Sequence, residues 1–351
     1  MQLTPEIKQQ LAEQKKQCVF CKLISGEMPG AKKVFDDDKT IALLDIYPAV
    51  KGHTVLMPKE HYPMPAYMPG EEFKQMFSLI PELSKAVKGA MVRTGINVFM
   101  AIGGAAGQQS PHFMAHLLPR EEDDGFFNFL FGKKGGELSE EEQKILQKNF
   151  PIMMNNHFQR NPAGWHSGSG EIPTFLENIY DNSKVLYEDE KILCVIPKKS
   201  LTRGHLIIYS KTEEKEIEKL SQQDSAHIFF AASLASTAVF EGLKAHGTNI
   251  ILKSGTCDDN PEGKLEVHVL PRWQDDKLKG LNWQPKQAKY NLDGVAKKIK
   301  DKTWKVKYKK EEKKEDKKED KKPEEKKEPK IENKKLSSPQ DEIMKAIESL
   351  R

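Results

Sequence analysis

Cysteine is scarce in this chain, with four in 351 residues, which excludes a small fold stapled by disulfides. Two of the four, Cys18 and Cys21, form a C-x-x-C, which in a reducing compartment points to metal or redox chemistry. Long apolar runs are lacking as well. The longest, Ile228 to Phe240, falls short of the roughly 20 residues that span a bilayer. The opening stretch, with Lys8, Lys15 and Lys16 among Gln and Glu, has no signal-peptide apolar core. The expectation is a cytoplasmic protein with no membrane partner. A broad excess of positive charge is also missing. Of a net charge of only +4, the segment Lys305 to Lys335 supplies more than the whole, with fifteen lysines against ten acidic residues. The interspersed acids confine any nucleic-acid contact to weak attraction by that tail.

What the sequence does contain is an internal repeat. Gly52-His53 recurs as Gly204-His205, Asn97 as Asn249, Gly103 as Gly255, and His116-Leu117-Leu118-Pro119-Arg120 as His268-Val269-Leu270-Pro271-Arg272, always 152 residues apart. An ungapped offset from Asp37/Asp189 to Arg120/Arg272 implies two copies of one fold of roughly 105 residues. Each copy reads as a hairpin, a strand, a helix and two more strands. In the first these are Phe35 to Asp45, Gly52 to Met57, a helix through Phe73, Met76, Phe77, Ile80, Leu83 and Val87 that stops at Gly95, then Asn97 to Ala101 and His112 to Leu118. The second-copy helix runs from Asp224 to Ala245. The fold class is therefore α+β, with an antiparallel sheet and a packed helix in each copy.

The expected organisation is a helical lead at 1–17, a first domain at 18–122, an aromatic and helical insert at 123–172, a second domain at 173–280 and an extension at 281–304. A charged segment at 305–336 has too few apolar residues to join a core. The terminal stretch 337–351 places Ile343, Met344, Ile347 and Leu350 on one helical face, which docks back or binds a protein partner. The insert, rich in Phe126, Phe127, Phe129 and Phe131, is expected to pack on the first domain, and its helix opens with a capping box at Ser139 and Glu142. His157, His166, His227 and His246 match no motif, and Trp165, Trp273, Trp283 and Trp304 read as packing or interface residues.

The run Gln108-Gln109-Ser110-Pro111-His112-Phe113-Met114-Ala115-His116-Leu117-Leu118-Pro119-Arg120 resembles the motif of the histidine triad (HIT) superfamily. The opening Cys-Val-Phe-Cys, Leu44-Asp45-Ile46, Gly52-His53-Thr54 and Pro58-Lys59-Glu60-His61 are similar to its Hint-like branch. The likeness covers about residues 18–122 and, more loosely, 184–275. It implies two HIT folds paired as an intramolecular pseudo-dimer. It also implies a purine-nucleotide site formed by Leu43, Asp45, Ile46, His53, Gln108 and His116, with Asp45 on the ribose. On a strand, positions 112, 114 and 116 share one face about 7 Å apart.

In that family the middle histidine attacks the α-phosphorus, and here Met114 stands in its place. A thioether is a weak acceptor and shuttles no proton. The second copy has Lys264, Glu266 and His268 at the triad positions and Pro197 at the ribose position. Cys18, Cys21, His61 and His112 match the zinc ligands of several Hint-like proteins, a set suited to one structural Zn²⁺. The reading is a purine-nucleotide-binding protein without hydrolysis. Two alternatives stay open: a nucleotide hydrolase or nucleotidyl transferase that uses another residue, such as His116 or Glu266, and an interaction scaffold with relic pockets.

Overall fold

Four five-residue segments are buried along their whole length: Thr40–Leu44, Thr54–Pro58, Ile192–Ile196 and Leu206–Ser210. Such continuous burial belongs to strands covered on both faces. In the computed structural model, which describes residues 4–131, 136–274, 276, 278 and 281–310, these four are β2, β3, β7 and β8 of a ten-stranded sheet. The others are β1 (Lys33–Asp36), β4 (Gly95–Ile102), β5 (Ala115–Arg120), β6 (Lys184–Glu188), β9 (Gly247–Gly255) and β10 (Glu266–Arg272). The order β1-β2-β3-β5-β4-β9-β10-β8-β7-β6 joins two five-stranded halves of the same topology edge to edge through antiparallel β4 and β9.

The 152-residue offset governs the pairing itself. Thr40 faces Pro58 as Ile192 faces Ser210, Thr54 faces Leu117 as Leu206 faces Val269, and Gly95 faces Arg120 as Gly247 faces Arg272. At the junction Phe99 lies opposite its own counterpart Ile251, which marks a pseudo-two-fold axis. On the helical side Phe77 stacks on its counterpart Phe229, with centroids 5.0 Å apart.

The helices are α1 (Pro5–Gln17), α2 (Val19–Ser25), α3 (Gly70–Ser78), α4 (Ile80–Met91), α5 (Glu140–Arg160), α6 (Thr174–Asn182), α7 (Gln222–Leu243) and α8 (Leu292–Thr303). The single first-copy helix expected through Phe73 to Val87 is two. Pro81 in the first turn of α4 cannot donate to the preceding turn, so α3 ends at Ser78. Nor does the stop fall at Gly95, which opens β4; Val92, in the left-handed region at φ 55°, caps α4. In the second half α7 is unbroken. It is long and apolar enough to cross a bilayer by length alone, but most of it is buried within the protein.

Helices α3, α4, α5 and α7 cover one sheet face in a single core that includes Phe77, Phe150, Phe229, Leu117 and Val269. The opposite face carries three patches. α2 and Met114 cover Ile41, Leu43, Val55 and Met57, and α6 covers their counterparts Leu193, Val195, Ile207 and Tyr209. Between them Phe99, Leu118, Ile251 and Leu270 are covered by Phe126, Phe129 and Leu281.

The insert therefore does not sit on the first domain alone. Its aromatic part bridges both halves, and α5, with the expected capping box at Ser139 and Glu142, buries Leu146, Phe150, Met154 and Phe158 against the second half's helix and edge strand. The extension 281–304 crosses the other way. α8 packs on α4 and β1, where Thr303 Oγ1 donates to Val34 O at 2.5 Å. The charged segment expected to start at Lys305 starts later, because Val306 is buried and the Lys307 and Lys309 amides donate to Glu82 and Gln222. The chain divides into two units at Lys309/Lys310. The rest of that segment and the expected helix at 337–351 lie outside the described residues.

Each half closes on a buried arginine. Arg120 donates to Asn97 Oδ1 at 2.5 Å, to Asp124 at 2.5 and 3.1 Å and to Phe126 O at 2.6 Å. Arg272 repeats this on Asn249, Asp276 and Leu278 O, each 152 residues on. Arg120 alone adds a second carboxylate, Asp259 Oδ1 at 2.9 Å. These guanidiniums hold the segments that leave each half toward the other.

Candidate functional site

The parity expected for positions 112, 114 and 116 holds, but the regular strand begins only at Ala115. Phe113, Ala115 and Leu117 join the helical-side core, and Met114 lies half-buried on the opposite face beside Leu43 and Met57. Three side chains on that face do not converge on one point. His112 and His116 belong to two separate clusters.

The first cluster is Cys18, Cys21, His61 and His112, whose ligand atoms lie within 4.8 Å of one another. Cys18 precedes α2 and Cys21 lies one turn into it, so both thiols face the segment after β3 and the segment before β5. Cys21 Sγ is 3.4 Å from His61 Nδ1 and 3.5 Å from His112 Nδ1, and Cys18 Sγ is 3.7 Å from His112 Nδ1. His112 Nε2 donates to Pro58 O at 2.8 Å, which leaves the Nδ1 lone pair aimed at the sulfurs. Burial, with Cys18 beside it, pushes the Cys21 thiol up to about 12, and burial takes His112 down to about 4. Two thiols and two imidazoles, that of His112 with its lone pair inward, form a donor set that fits a tetrahedral metal.

The second cluster is Asp45, His53 and His116. His53, with no exposed surface, follows Gly52, whose φ of +89° suits the turn into β3. The Ala49 backbone N–H donates to His53 Nδ1 at 3.3 Å, and His53 Nε2 lies 2.9 Å from His116 Nδ1. Nδ1 is thus the acceptor on His53, Nε2 carries its proton, and that proton goes to His116 Nδ1. His116 is left as the Nε2–H tautomer, a donor at its far end. Burial takes both imidazoles down to about 3. Both are neutral at neutral pH. The shared proton also argues against a metal between the two rings, whose facing nitrogens are already paired.

Asp45 Oδ1 accepts from the Tyr47 amide at 2.7 Å and Oδ2 lies 3.4 Å from His53 Nδ1, while Ile46 and Tyr47 are exposed beside it. Leu43 is buried beneath. Gln108, expected at the phosphate, braces its own loop. It accepts from Gly103 N at 2.8 Å and donates to Pro63 O and Ser110 O at 2.7 and 3.0 Å. His53 likewise stands behind His116 rather than at the surface.

Trp283, read from the sequence as a packing or interface residue, does pack at the patch between the halves, and it also reaches the first-half histidines, a place no motif indicates. Its ring meets His53 at 5.2 Å and His116 at 5.3 Å between centroids, both edge-on. It reaches the first-half site from the extension that follows the second half. Phe131, 152 residues earlier, meets His268 at 5.1 Å in the second half. Each half's histidines thus lie against an aromatic ring carried by the segment leaving the other half.

The second half keeps the relay and loses the rest. Leu201 N donates to His205 Nδ1 at 3.2 Å and His205 Nε2 lies 3.1 Å from His268 Nδ1. Glu266 Oε2 sits 3.3 Å from His268 Nε2. Burial alone would raise the Glu266 carboxyl, but His268, Lys264 and Lys253 bring it below the usual carboxylate range. Lys264 and Pro197 occupy the positions of His112 and Asp45, so neither cluster of the first half is reproduced. Of the histidines without a motif, His166 and His227 join a buried network. Asp189 Oδ2 accepts from His227 Nε2 and the Tyr187 hydroxyl, both at 2.8 Å, and Tyr187 also meets His166 Nδ1 at 2.8 Å. His157 packs on Phe230, and His246 accepts from the Gln274 amide.

Residues 26–123 match the family profile described as the HIT domain. A HIT-like protein of Borreliella burgdorferi is 36% identical over 140 residues, covering 39% of this chain and 97% of that protein. The adenylylsulfatase HINT3 of Arabidopsis thaliana is 38% identical over 107 residues, covering 30% of this chain and 54% of that protein. The crystal structure of an ADP-glucose phosphorylase from Arabidopsis thaliana covers 81% of this chain and 90% of its own, at 15% identity and a TM-score of 0.50, and shares the two-halved fold.

Proposed function

Since the chain belongs to the histidine triad family, we propose that its first half binds a purine nucleotide through Asp45 and His116 and does not turn it over. The observation that carries this is the relay from Ala49 N–H through His53 to His116. It commits His116 Nδ1 as an acceptor and presents Nε2–H toward the site, a donor for a phosphate oxygen with no outward lone pair. Nucleophilic attack on phosphorus needs that lone pair. The neighbouring position holds Met114, whose side chain packs on the apolar cluster of Ile41, Leu43, Val55 and Met57. Asp45 keeps an exposed edge suited to ribose hydroxyls, with Ile46 beside it for a base. In the second half Glu266 lies 3.3 Å from His268, which also meets the Phe131 ring, and this speaks against it as a nucleophile.

The Cys18, Cys21, His61 and His112 cluster is read as holding one structural Zn²⁺. The inward Nδ1 of His112, set by Pro58 O, supports that reading. Bound there, the ion would tie α2 to the two segments flanking β3 and β5 and lend folding energy to the first half.

Calorimetric titration with AMP, with product analysis of AMP-amide in the same samples, tests the proposal. Saturable AMP binding to the wild type with no released amine is the expected result. Turnover of AMP-amide by the wild type overturns the non-hydrolytic reading, and absence of AMP binding overturns the nucleotide site.

A further inference from the structure

The repeat continues past the sheet into the helices that follow it. Asn291 Oδ1 accepts from Gly294 N at 3.0 Å to cap α8, as Ser139 Oγ accepts from Glu142 N at 3.3 Å to cap α5, and the two caps stand 152 residues apart. α5 packs on β6 and α7, and α8 packs on β1 and α4. Each half is thus clasped by the helix that trails the other, and the residue before each cap is carried to the opposite half. There Leu138 approaches Gly204, and Tyr290 meets the corresponding turn, at Lys51 and Gly52.

Leu138 ends in methyl groups, whereas the Tyr290 hydroxyl is buried and pairs with no other group of the protein. A buried tyrosine hydroxyl normally finds a partner. Lys51 Nζ sits 5.8 Å over the Tyr290 ring, and the hydroxyl faces the Gly52 N–H without a hydrogen bond closing between them. Burial raises the phenol above its ordinary range; the Gly52 N–H opposes this and the Asp45 charge adds to it, so the group keeps its proton and lies within the field of Asp45. Asp45 and Gly52 belong to one loop, in which Asp45 N donates to His53 O at 2.9 Å and His53 N donates to Val50 O at 3.1 Å. The half that carries Asp45 has Tyr290; the half with Pro197 in that place has Leu138.

We propose that Tyr290 is a positioning residue of the first-half site, brought to it from beyond the second half. A small closure of the Asp45 to His53 loop onto the phenol lets the Gly52 N–H donate to the Tyr290 oxygen and the Tyr290 O–H donate to the Asp45 carboxylate, which sets that carboxylate for ribose hydroxyls. A ribose that binds the closed loop better draws the loop toward it. This deepens the proposed nucleotide site and rests on it; the cost of the unpaired hydroxyl does not.

Removing the hydroxyl should move stability and affinity in opposite directions. Without nucleotide, Tyr290→Phe deletes a buried polar group that has no partner, and the melting temperature of the full chain should rise by about 2–4 °C. In calorimetry the same variant should bind AMP at least about fivefold more weakly, because a hydrogen bond to a charged group is lost. It should bind 2′,3′-dideoxy-AMP as the wild type does, since that ligand offers Asp45 no hydroxyl. A side chain that merely supports the fold would lower the melting temperature and weaken both ligands alike. A melting temperature that does not rise, equal weakening of both ligands, or unchanged AMP affinity each overturns the proposal. Failure of the wild type to bind AMP overturns the nucleotide reading beneath it, and the melting comparison still decides whether the hydroxyl is unpaired.

Discussion

Substitutions at His53 separate its two hydrogen bonds. His53 has no exposed surface, accepts the Ala49 N–H through Nδ1 and donates through Nε2 to His116. Asparagine places its carbonyl oxygen near Nδ1 and keeps the first bond; glutamine places its amide nitrogen near Nε2 and keeps the second. Either change leaves one buried polar group unpaired, at about 1–3 kcal/mol, and His53→Phe leaves two, at about 2–6 kcal/mol. Urea unfolding should therefore rank Phe well below two similar amides. Function should split the amides. With Gln, His116 keeps its Nε2–H tautomer and AMP affinity holds within about threefold; with Asn, the tautomer is released and affinity falls by tenfold or more, about 1.4 kcal/mol. His205 offers an internal control with the same geometry, where the same pair should cost stability and leave AMP binding unchanged. Imidazole ¹⁵N spectra check the premise. A proton found on His116 Nδ1 in the wild type, or equal AMP affinity for Asn and Gln, would refute the relay.

Cys21→Ala should abolish zinc binding and lower the melting temperature by roughly 5–10 °C, and elemental analysis finding no zinc in wild type purified without chelators would sink the metal reading. Arg120→Met should cost about 3–5 kcal/mol and Arg272→Met less, because Arg120 serves two buried carboxylates, Asp124 and Asp259, and Arg272 only Asp276; equal losses in denaturant would contradict this. His53 and His116 are held near pKa 3 in the folded chain and titrate near 6.5 when unfolded. The unfolded chain thus binds more protons between those values. Their contribution is complete above about pH 6.5 and is lost on acidification by about 1.4 kcal/mol per pH unit for each ring, so a flat unfolding free energy from pH 6.5 to 5 would exclude it. Met114→His should gain slow amine release from AMP-amide, at least about 100-fold over the wild type, while an unchanged rate would show that more than the nucleophile is missing.

Much of this architecture is visible in the sequence because the repeat is ungapped. One offset relates Gly52 to Gly204 and also relates every strand pairing of one half to the other. The Cys/His cluster was legible for a different reason. Cys and His side chains carry recognisable donor chemistry even when Cys18 and His112 lie far apart in the chain. Trp283 and Phe131 pack as expected, but the half each meets is not legible, because an aromatic residue has no chemistry that announces which half it crosses to. A signal was nevertheless present. Eleven residues beyond Arg120 and Arg272, Phe131 and Trp283 fall on the same offset. The loop-bracing role of Gln108 was not legible because side-chain amides serve loops and ligands equally well, and here Gly103 N, Pro63 O and Ser110 O take its hydrogen bonds. The split between α3 and α4 was written in Pro81 and was overridden by an apolar spacing that runs through it.

The pairing of Phe99 with Ile251 bears on what a single chain permits that two identical chains do not. On the axis of a homodimer a residue meets itself, so a bulky ring there must accommodate a second ring and a lysine must tolerate a second lysine. Joined in one polypeptide, the two sides are free to be complementary instead. A ring at residue 99 fits a branched aliphatic at residue 251, and Lys253, which faces Asn97, has Ala101 as its counterpart, so an ammonium is carried on one side only. Covalent linkage thus lets one half become the other's scaffold by small, one-sided changes that two identical subunits would have to make twice.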